Sequence, residues 1–215
     1  MSETNASLCV IIPMKDPGEA KTRLGDTLPA KTRAALTRTL FRQTLRVLKM
    51  LDQDLHIAVV TNSQAIAAIC LPFRVQVLDD PGGGLNDAVK AGADYAAHHR
   101  FSSVCILPGD LADPAFEDLS ALFAAPREAN SVTIAPAHDG GTNALLVTPP
   151  DAMLFAYGPD SCAAHQINAE GAGLSCLLMP LPSLLYDVDR SSDLGARLTR
   201  GLDRSLGAFG KEASG

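Results

Sequence analysis

Three cationic side chains fall within nine positions of one predicted loop. Lys15, Lys21 and Arg23 follow a short apolar run and stand among Asp, Pro and Gly residues. Clustered Lys and Arg side chains suit phosphate oxygens, which they bind through charge-assisted hydrogen bonds. Two interpretations stay open at this point: a loop that binds a polyphosphate, and a solvated charged loop without a ligand.

Three carboxylates occupy positions where a metal ion could be held. Asp110 follows the apolar run Val104 to Leu107, and Asp187 and Asp189 alternate around Val188. Alternate residues of an extended segment point to the same side, so the last two carboxylates would face one way. Carboxylate oxygens are preferred ligands of Mg²⁺. The alternative is that Asp189 is exposed, or that one of the pair caps a final helix.

Glycine-rich turns carry further polar groups. Gly82 to Gly84 permit positive φ and a close backbone approach to a ligand. Asn86 or Asp87 is placed to cap the following helix, and helix N-termini favour anions. Thr142 and Ser161 place hydroxyls in two other glycine-containing turns, and Ser161 stands where a helix is predicted to begin. Ordinary turns and N-caps are the alternative interpretation.

Several common sites are absent from the sequence. It contains neither a Walker A loop nor the Gly-x-Gly-x-x-Gly dinucleotide motif. The five cysteines are odd in number and include no Cys-x-x-Cys pair, which disfavours a disulfide framework or a zinc site. Cys9 and Cys105 are predicted to be buried thiols. His56 and His165 show no pattern of catalytic partners.

Short apolar runs alternate with longer amphipathic segments along the chain, as expected for strands and helices. The predicted strands are Leu8 to Ile12, His56 to Val60, Val75 to Leu78, Val104 to Leu107, Val132 to Ala135, Ala144 to Val147 and Leu174 to Leu181. The predicted helices are Lys31 to Met50, Ser63 to Cys70, Asn86 to His99, Asp113 to Phe123, Ser161 to Glu170 and Ser191 to Leu202. Pro29 is placed to start the first helix, Thr61-Asn62-Ser63 to cap the second, and Asp113 to cap the fourth.

This alternation predicts an α/β fold of the Rossmann-like kind, with a mostly parallel sheet and helices on both faces. The apolar strands suit burial on both sides. We expect one domain over residues 1–215, with polar tails at 1–7 and 204–215. Ligands of such sheets bind beyond the carboxyl ends of the strands, where the residues discussed above stand.

Composition narrows the classes of partner. Among 215 residues, 18 Lys and Arg against 24 Asp and Glu give a net charge of −6, which disfavours a nucleic-acid-binding surface. A small phosphorylated ligand remains compatible, because a few local cations can hold it. No apolar stretch is long enough to span a membrane, and the first seven residues lack the features of a signal peptide. A cytoplasmic protein is expected.

The motifs described above, taken in their order along the chain, resemble a nucleotidyltransferase family. The resemblance of the whole set is more specific than that of any single motif. The pattern comprises Ile12-Pro13-Met14-Lys15, Ala20-Lys21-Thr22-Arg23-Leu24, Gly84-Leu85-Asn86, Pro108-Gly109-Asp110-Leu111, Asp139-Gly140-Gly141-Thr142-Asn143-Ala144-Leu145, Gly158-Pro159-Asp160-Ser161 and Asp187-Val188-Asp189. It is similar to the 2-phospho-L-lactate guanylyltransferase family of coenzyme F-420 biosynthesis. Members of that family also use phosphoenolpyruvate or 3-phospho-D-glycerate, and the fold it implies is that of nucleotide-diphospho-sugar transferases.

The resemblance implies a role for each motif. Residues implied to bind GTP are Pro13, Lys15, Arg23, Thr61, Gly84, Leu85 and Asn86, and those implied in catalysis are Lys15, Lys21, Arg23 and Asp110. Residues implied to bind the phosphorylated acid are Thr142, Gly158 and Ser161, and Mg²⁺ is implied at Asp110 with Asp187 or Asp189. Related enzymes suggest a homodimer.

The sequence departs from the family pattern after the last aspartates. Arg190-Ser191-Ser192 stands where the family usually has Thr-Pro and an acidic residue, and His138 is not the usual residue before Asp-Gly-Gly. Two alternatives therefore stay open. One is another nucleotidyltransferase of the same fold, such as a molybdenum-cofactor or sugar-nucleotide enzyme, although their Gly-Gly-x-Ser/Thr-x-Arg opening is absent. The other is a non-catalytic nucleotide-binding module.

Overall fold

A computed structural model describes residues 7–21, 25–26 and 28–185 of the chain. Three residues implied in the site, Arg23, Asp187 and Asp189, lie outside the described residues. The predicted helix Ser191 to Leu202 lies outside them as well.

A single sheet of seven strands organises the described residues. The strands are β1 (Leu8–Pro13), β2 (His56–Val60), β3 (Gln76–Leu78), β4 (Ser103–Ile106), β5 (Ser131–Pro136), β6 (Thr142–Thr148) and β7 (Ser175–Leu178). Their order across the sheet is β3-β2-β1-β4-β6-β5-β7. All neighbours pair in parallel except β6, which runs antiparallel to both β4 and β5. The prediction of a mostly parallel sheet is confirmed.

Five α-helices in the described part of the chain cover both faces of the sheet. They are α1 (Ala30–Leu51), α2 (Gln64–Cys70), α3 (Leu85–His98), α4 (Phe116–Phe123) and α5 (Ser161–Gly171). Side chains of α1, α2 and α4 pack with Val10 and Ile12 of β1 in one core, and those of α3 and α5 pack in a second core that contains Cys9 and Ile11. Alternate residues of β1 thus enter opposite cores, as the strand pleat requires. None of the helices in the described ranges is long and apolar enough to cross a membrane.

Two predicted helix starts are wrong. The helix expected from Asp113 begins at Phe116 with Ala115 as its N-cap. Leu111, Ala112 and Pro114 are buried first, so the chain follows the core through a turn before the helix can start. Asp113 is therefore not the cap.

The predicted cap of α3 is the second error. Gly84 occupies the N-cap position at φ 110°, and Asn86 and Asp87 lie inside the first turn of the helix. The side-chain amide of Asn86 instead bonds to the backbone of Tyr157. In contrast, the predicted cap of α2 is confirmed, since the Ser63 side chain accepts a hydrogen bond from the amide of Ile66.

Candidate active site

The predicted site residues that the structure describes lie together at one edge of the sheet, the edge formed by the carboxyl ends of its parallel strands. β1 ends at Pro13, β2 ends immediately before Thr61, and β4 ends four residues before Asp110. β6 runs in the opposite direction, so its first residue, Thr142, lies at this edge too. Groups from distant parts of the sequence thereby meet beyond the carboxyl ends of the parallel strands, where ligands of such sheets bind.

An ion pair joins the loops that follow the two neighbouring strands β1 and β4. Nζ of Lys21 lies 2.8 Å from Oδ2 of Asp110. The Lys21 side chain is only 2% exposed, whereas that of Asp110 is 31% exposed. A buried ammonium group needs a nearby carboxylate, because its charge is costly to remove from water. Asp110 therefore balances Lys21 and still exposes part of its side chain to solvent.

Close packing beneath Gly109 sets the position of Asp110. A Cβ atom at Gly109 would lie 2.8 Å from Cγ2 of Ile12 and 3.0 Å from Cδ2 of Phe41, and closer still to Sδ of Met14. These neighbours belong to the core beneath the loop, so they have little room to move. Glycine is required here because the loop passes directly over buried side chains.

The cationic loop after β1 is tied to the end of β2. Oδ2 of Asp16 accepts a hydrogen bond of 2.6 Å from Oγ of Ser63, and Oδ1 accepts one of 2.8 Å from the amide of Gly18. These two hydrogen bonds lower the pKa of Asp16 because they favour its charged form, and the bond from Ser63 has the larger effect. The amide of Met14 also donates to the Val60 carbonyl at 2.9 Å. The loop that carries exposed Lys15 and buried Lys21 is thus held at both β1 and β2.

The predicted nucleotide-binding residues lie on the β2–β3 side of this edge. Thr61 is 3% exposed, and its Oγ1 accepts a hydrogen bond from the amide of Ser63. Leu85, the first residue of α3, is 44% exposed and follows Gly84. The Asn86 amide bonds twice to Tyr157, donating to its carbonyl at 3.0 Å and accepting from its amide at 2.7 Å. Asn86 therefore links the glycine-rich turn to the loop that contains Gly158.

Two of the three predicted acceptor residues form a buried polar cluster at the β6 end of the same edge, whereas Gly158 is exposed. Thr142 and Ser161 are 7% and 2% exposed, and Oγ of Ser161 donates to Oγ1 of Thr142 at 3.3 Å. Nδ1 of His165 lies 3.0 Å from the same Thr142 oxygen. Nε2 of His165 accepts a hydrogen bond of 3.0 Å from the amide of Ala156. Burial lowers the pKa of His165 to about 4, so the ring is neutral near pH 7.

His165 is the residue of this cluster that sequence reasoning missed. A local signal existed: Ser161 and His165 are four residues apart in α5, and side chains at that spacing share one face of a helix. The contact of this face with the start of β6 is non-local, however, and no spacing in the sequence reveals it.

The chain that leads to Asp187 and Asp189 is anchored beside the acceptor cluster. The amide of His138 donates to the carbonyl of Leu185 at 2.7 Å, and Nδ2 of Asn143 donates to that of Leu184 at 2.6 Å. His138 lies in the turn between β5 and β6, and Asn143 is the second residue of β6, so both contacts lie at the edge that holds Thr142.

The donors present suit Mg²⁺ held together with a nucleotide. Within the described ranges, no three His, Cys, Asp or Glu side chains cluster as a metal centre. Asp110 supplies one partly exposed carboxylate at the strand ends. Mg²⁺ is commonly bound by one or two carboxylates, with waters and substrate phosphates completing its coordination. Among the described residues, Asp110 fits one such carboxylate.

Comparison with known proteins now identifies the family. The family described as "Guanylyl transferase CofC like" matches residues 8–212. The chain belongs to this family. The resemblance seen in the motifs is confirmed, and family membership makes the protein a guanylyltransferase by homology.

Several guanylyltransferases match this chain along most of their length. A 3-phospho-D-glycerate guanylyltransferase from Colwellia psychrerythraea is 38% identical over 185 residues, which cover 86% of this chain and 88% of that protein. A phosphoenolpyruvate guanylyltransferase from Conexibacter woesei is 38% identical over 195 residues, covering 88% and 86%. A phosphoenolpyruvate guanylyltransferase from Mycobacterium leprae is 33% identical over 202 residues, covering 92% and 91%.

Solved structures place the CofC-like chain among nucleotidyltransferase folds. A nucleotidyl transferase from Methanothermobacter superposes with a TM-score of 0.67 at 14% identity, covering 93% of this chain and 99% of that one. A 4-diphosphocytidyl-2C-methyl-D-erythritol synthase from Anaerococcus prevotii gives 0.60 at 10% identity, covering 90% and 95%. At these identities the likeness concerns the fold, and it confirms the predicted fold class.

Proposed function

We propose that this guanylyltransferase transfers the GMP group of GTP to the phosphate of a phosphorylated three-carbon acid and releases pyrophosphate. The acceptor candidates are 2-phospho-L-lactate, phosphoenolpyruvate and 3-phospho-D-glycerate. The observation that supports this most is the meeting, at one sheet edge, of the Lys21–Asp110 pair with the hydroxyls of Thr142 and Ser161. The Lys21–Asp110 pair suits a triphosphate with its metal ion, and the Thr142 and Ser161 side of the site suits a second anion. We place the reaction in coenzyme F-420 biosynthesis.

The nucleotide side would neutralise the triphosphate. Lys15 and Lys21 stand on a loop held by Asp16, and Arg23 is proposed to join them. Pro13, Thr61 and the turn Gly84-Leu85-Asn86 line the neighbouring strand ends, so we assign the nucleoside to them. The exposed Leu85 offers the nucleoside an apolar contact.

The acceptor side would hold a small acid with two negative groups. Thr142 supplies a hydroxyl that is nearly excluded from water, where a hydrogen bond to an anion is stronger. The hydroxyl hydrogen of Ser161 is donated to Thr142, so Ser161 would act on the acid through its place in the helix. Ser161 is also the first residue of α5, and the N-terminus of an eleven-residue helix favours negative charge. Gly158 lies in the loop that Asn86 holds, between the nucleotide and acceptor sides.

The chemistry requires positioning rather than a catalytic base. An oxygen of the acceptor's phosphate attacks the α-phosphorus of GTP, and the bond from that phosphorus to the α–β bridging oxygen breaks. Pyrophosphate leaves with the electron pair of that bond, and no proton moves because the attacking phosphate is already ionised. Lys21 stabilises the negative charge that develops on the leaving group.

Asp110 would hold Mg²⁺, with Asp187 or Asp189 as its proposed companion. When bound, the ion neutralises charge on the phosphates and supports their in-line arrangement. Asp110 also keeps the Lys21 ammonium in place, so the two residues would act on the same phosphates from neighbouring loops. The homodimer, the cytoplasmic location and the single domain over 1–215 stay predictions.

Pyrophosphate release by the purified protein tests the proposal. GTP and Mg²⁺ are supplied with each of the three acids in turn, with ATP and CTP as nucleotide controls. We expect release with GTP and one of the acids, and little with the other nucleotides. Absence of release with all three acids, while GTP still binds, would favour a different acceptor or a non-catalytic module.

A further inference from the structure

The hydrogen bonds around His165 determine which ring nitrogen carries its proton. The amide of Ala156 can only donate, so Nε2, 3.0 Å away, must accept and carries no hydrogen. A neutral imidazole then carries its single proton on Nδ1. That nitrogen lies 3.0 Å from Oγ1 of Thr142 and therefore donates to it. His165 is fully buried, and it packs edge-on against the ring of Tyr157 with ring centroids 4.7 Å apart.

Thr142 consequently accepts two hydrogen bonds. One comes from Nδ1 of His165, and the other comes from Oγ of Ser161 at 3.3 Å. A hydroxyl oxygen has two lone pairs, so both are engaged. The hydrogen of the Thr142 hydroxyl has no acceptor among the described residues, although the residue is only 7% exposed. Such a nearly buried donor is costly unless a ligand accepts from it.

We propose that His165 is a positioning residue that fixes the Thr142 hydroxyl as a donor to an anionic oxygen of the acceptor acid. This rests on the proposed function, because it concerns the acceptor side of that site. With its lone pairs engaged, Thr142 cannot accept a hydrogen bond from a ligand. Thr142 therefore favours an ionised carboxylate or phosphate oxygen and disfavours a group that must donate, such as an ammonium or an amide N–H.

Two substitutions at His165 separate this role from simple packing. In His165→Asn the amide nitrogen can take the place of Nδ1 and keep the bond to Thr142, while the bond from Ala156 is lost. In His165→Gln the longer side chain can keep the bond from Ala156, while the donor to Thr142 is lost. Thr142→Val removes the hydroxyl and serves as the reference for complete loss. Thr148→Val is the matched control, because Thr148 ends the same strand at the opposite edge and bonds there to Ser103.

Steady-state kinetics with GTP and the accepted acid gives the decisive comparison. We expect the KM of the acid to rise about tenfold in His165→Gln and Thr142→Val, and to stay within about threefold in His165→Asn and Thr148→Val. The KM of GTP should change less than about twofold throughout. An unchanged acid KM in His165→Gln beside a raised one in Thr142→Val would overturn the proposal. Equal increases for both substrates in His165→Gln would also overturn it, because they indicate a structural role alone.

Nitrogen-15 NMR of the imidazole groups tests His165 independently of turnover. We expect a proton on Nδ1 and none on Nε2 in the full-length wild-type protein at neutral pH, and a proton on Nε2 overturns the proposal. If the wild type turns over none of the acids, the proposed function fails, and the observed tautomer still decides whether Thr142 is a fixed donor. Titration with phosphoenolpyruvate or inorganic phosphate should then perturb the His165 signals of the wild type, whereas unperturbed signals would overturn the assigned ligand class.

Discussion

Asp110 and Lys21 illustrate how single residues define the site. Their charged atoms are 2.8 Å apart, and the lysine is almost wholly buried. Removing the carboxylate would leave the Lys21 ammonium without this counter-charge and would remove the described ligand proposed for Mg²⁺. Under the proposed function both effects would act on the phosphates of the nucleotide, so the change should appear mainly in turnover.

We therefore predict that Asp110→Asn lowers kcat by about 100-fold or more, because it removes a charge that acts in the transition state. The side chain keeps its size, so the protein should stay folded, which circular dichroism can verify. Asp94→Asn is the matched control, since Asp94 lies on the exposed side of α3 and pairs with Lys90. An Asp110→Asn variant with near-normal kcat would refute the role assigned to Asp110.

Residue types and their positions after predicted strands were sufficient to predict which of the described candidate residues meet at one edge of the sheet. Lys15, Lys21 and Asp110 were found because each stands after a predicted strand, and the structure places all three at one edge. His165 was missed because its partners, Thr142 and Ala156, come from other segments of the chain. Hydrogen bonds between distant loops leave no trace in local spacing, so the inference about the His165 tautomer required the structure.

At the scale of elements, the loop after β4 depends on the packing beneath it. Gly109 lies so close to Ile12 and Phe41 that no side chain fits there without movement. The loop that carries Asp110 is therefore coupled to the core formed by β1 and α1. A small change in the packing of this core should therefore shift Asp110 and alter the site.

We predict that Gly109→Ala destabilises the protein by about 1–3 kcal/mol through overpacking, and that it also lowers kcat. Thermal unfolding and pyrophosphate release measure the two effects separately. Gly171→Ala is the control, because a Cβ atom at Gly171, the last residue of α5, would meet nothing within 4 Å. Wild-type stability and kcat in Gly109→Ala would show that the loop tolerates a side chain and is not set by this packing.

The apolar periodicity of the sequence predicted the described helices and strands, but it did not predict the exact residues at which they begin. α4 begins at Phe116 rather than at Asp113, because Leu111 and Pro114 enter the core before the chain turns into a helix. β7 is shorter than the predicted strand and covers only Ser175–Leu178. Local propensity identifies a strand or helix, but burial of particular side chains decides where it begins and ends.

At the scale of the whole molecule, strand order accounts for the division of the site. β1, β2 and β3 carry the cationic loop and the glycine-rich turn, while β5 and β6 carry the turn that precedes Thr142. Insertion of the antiparallel β6 between β4 and β5 brings Thr142 to the edge that holds Asp110. The sequence predicted β5 and β6 as strands, but their order and direction depend on non-local pairing and could not be predicted.

The central claim is that the acceptor's own phosphate attacks GTP, and an isotope experiment tests it most directly. The accepted acid carries ¹⁸O in its phosphate group, and the products are analysed by mass spectrometry. We predict that the label stays in a guanosine product joined to the acid through a diphosphate, while the released pyrophosphate is unlabelled. Consumption of GTP to GDP and inorganic phosphate, with the labelled acid left unchanged, would contradict the account.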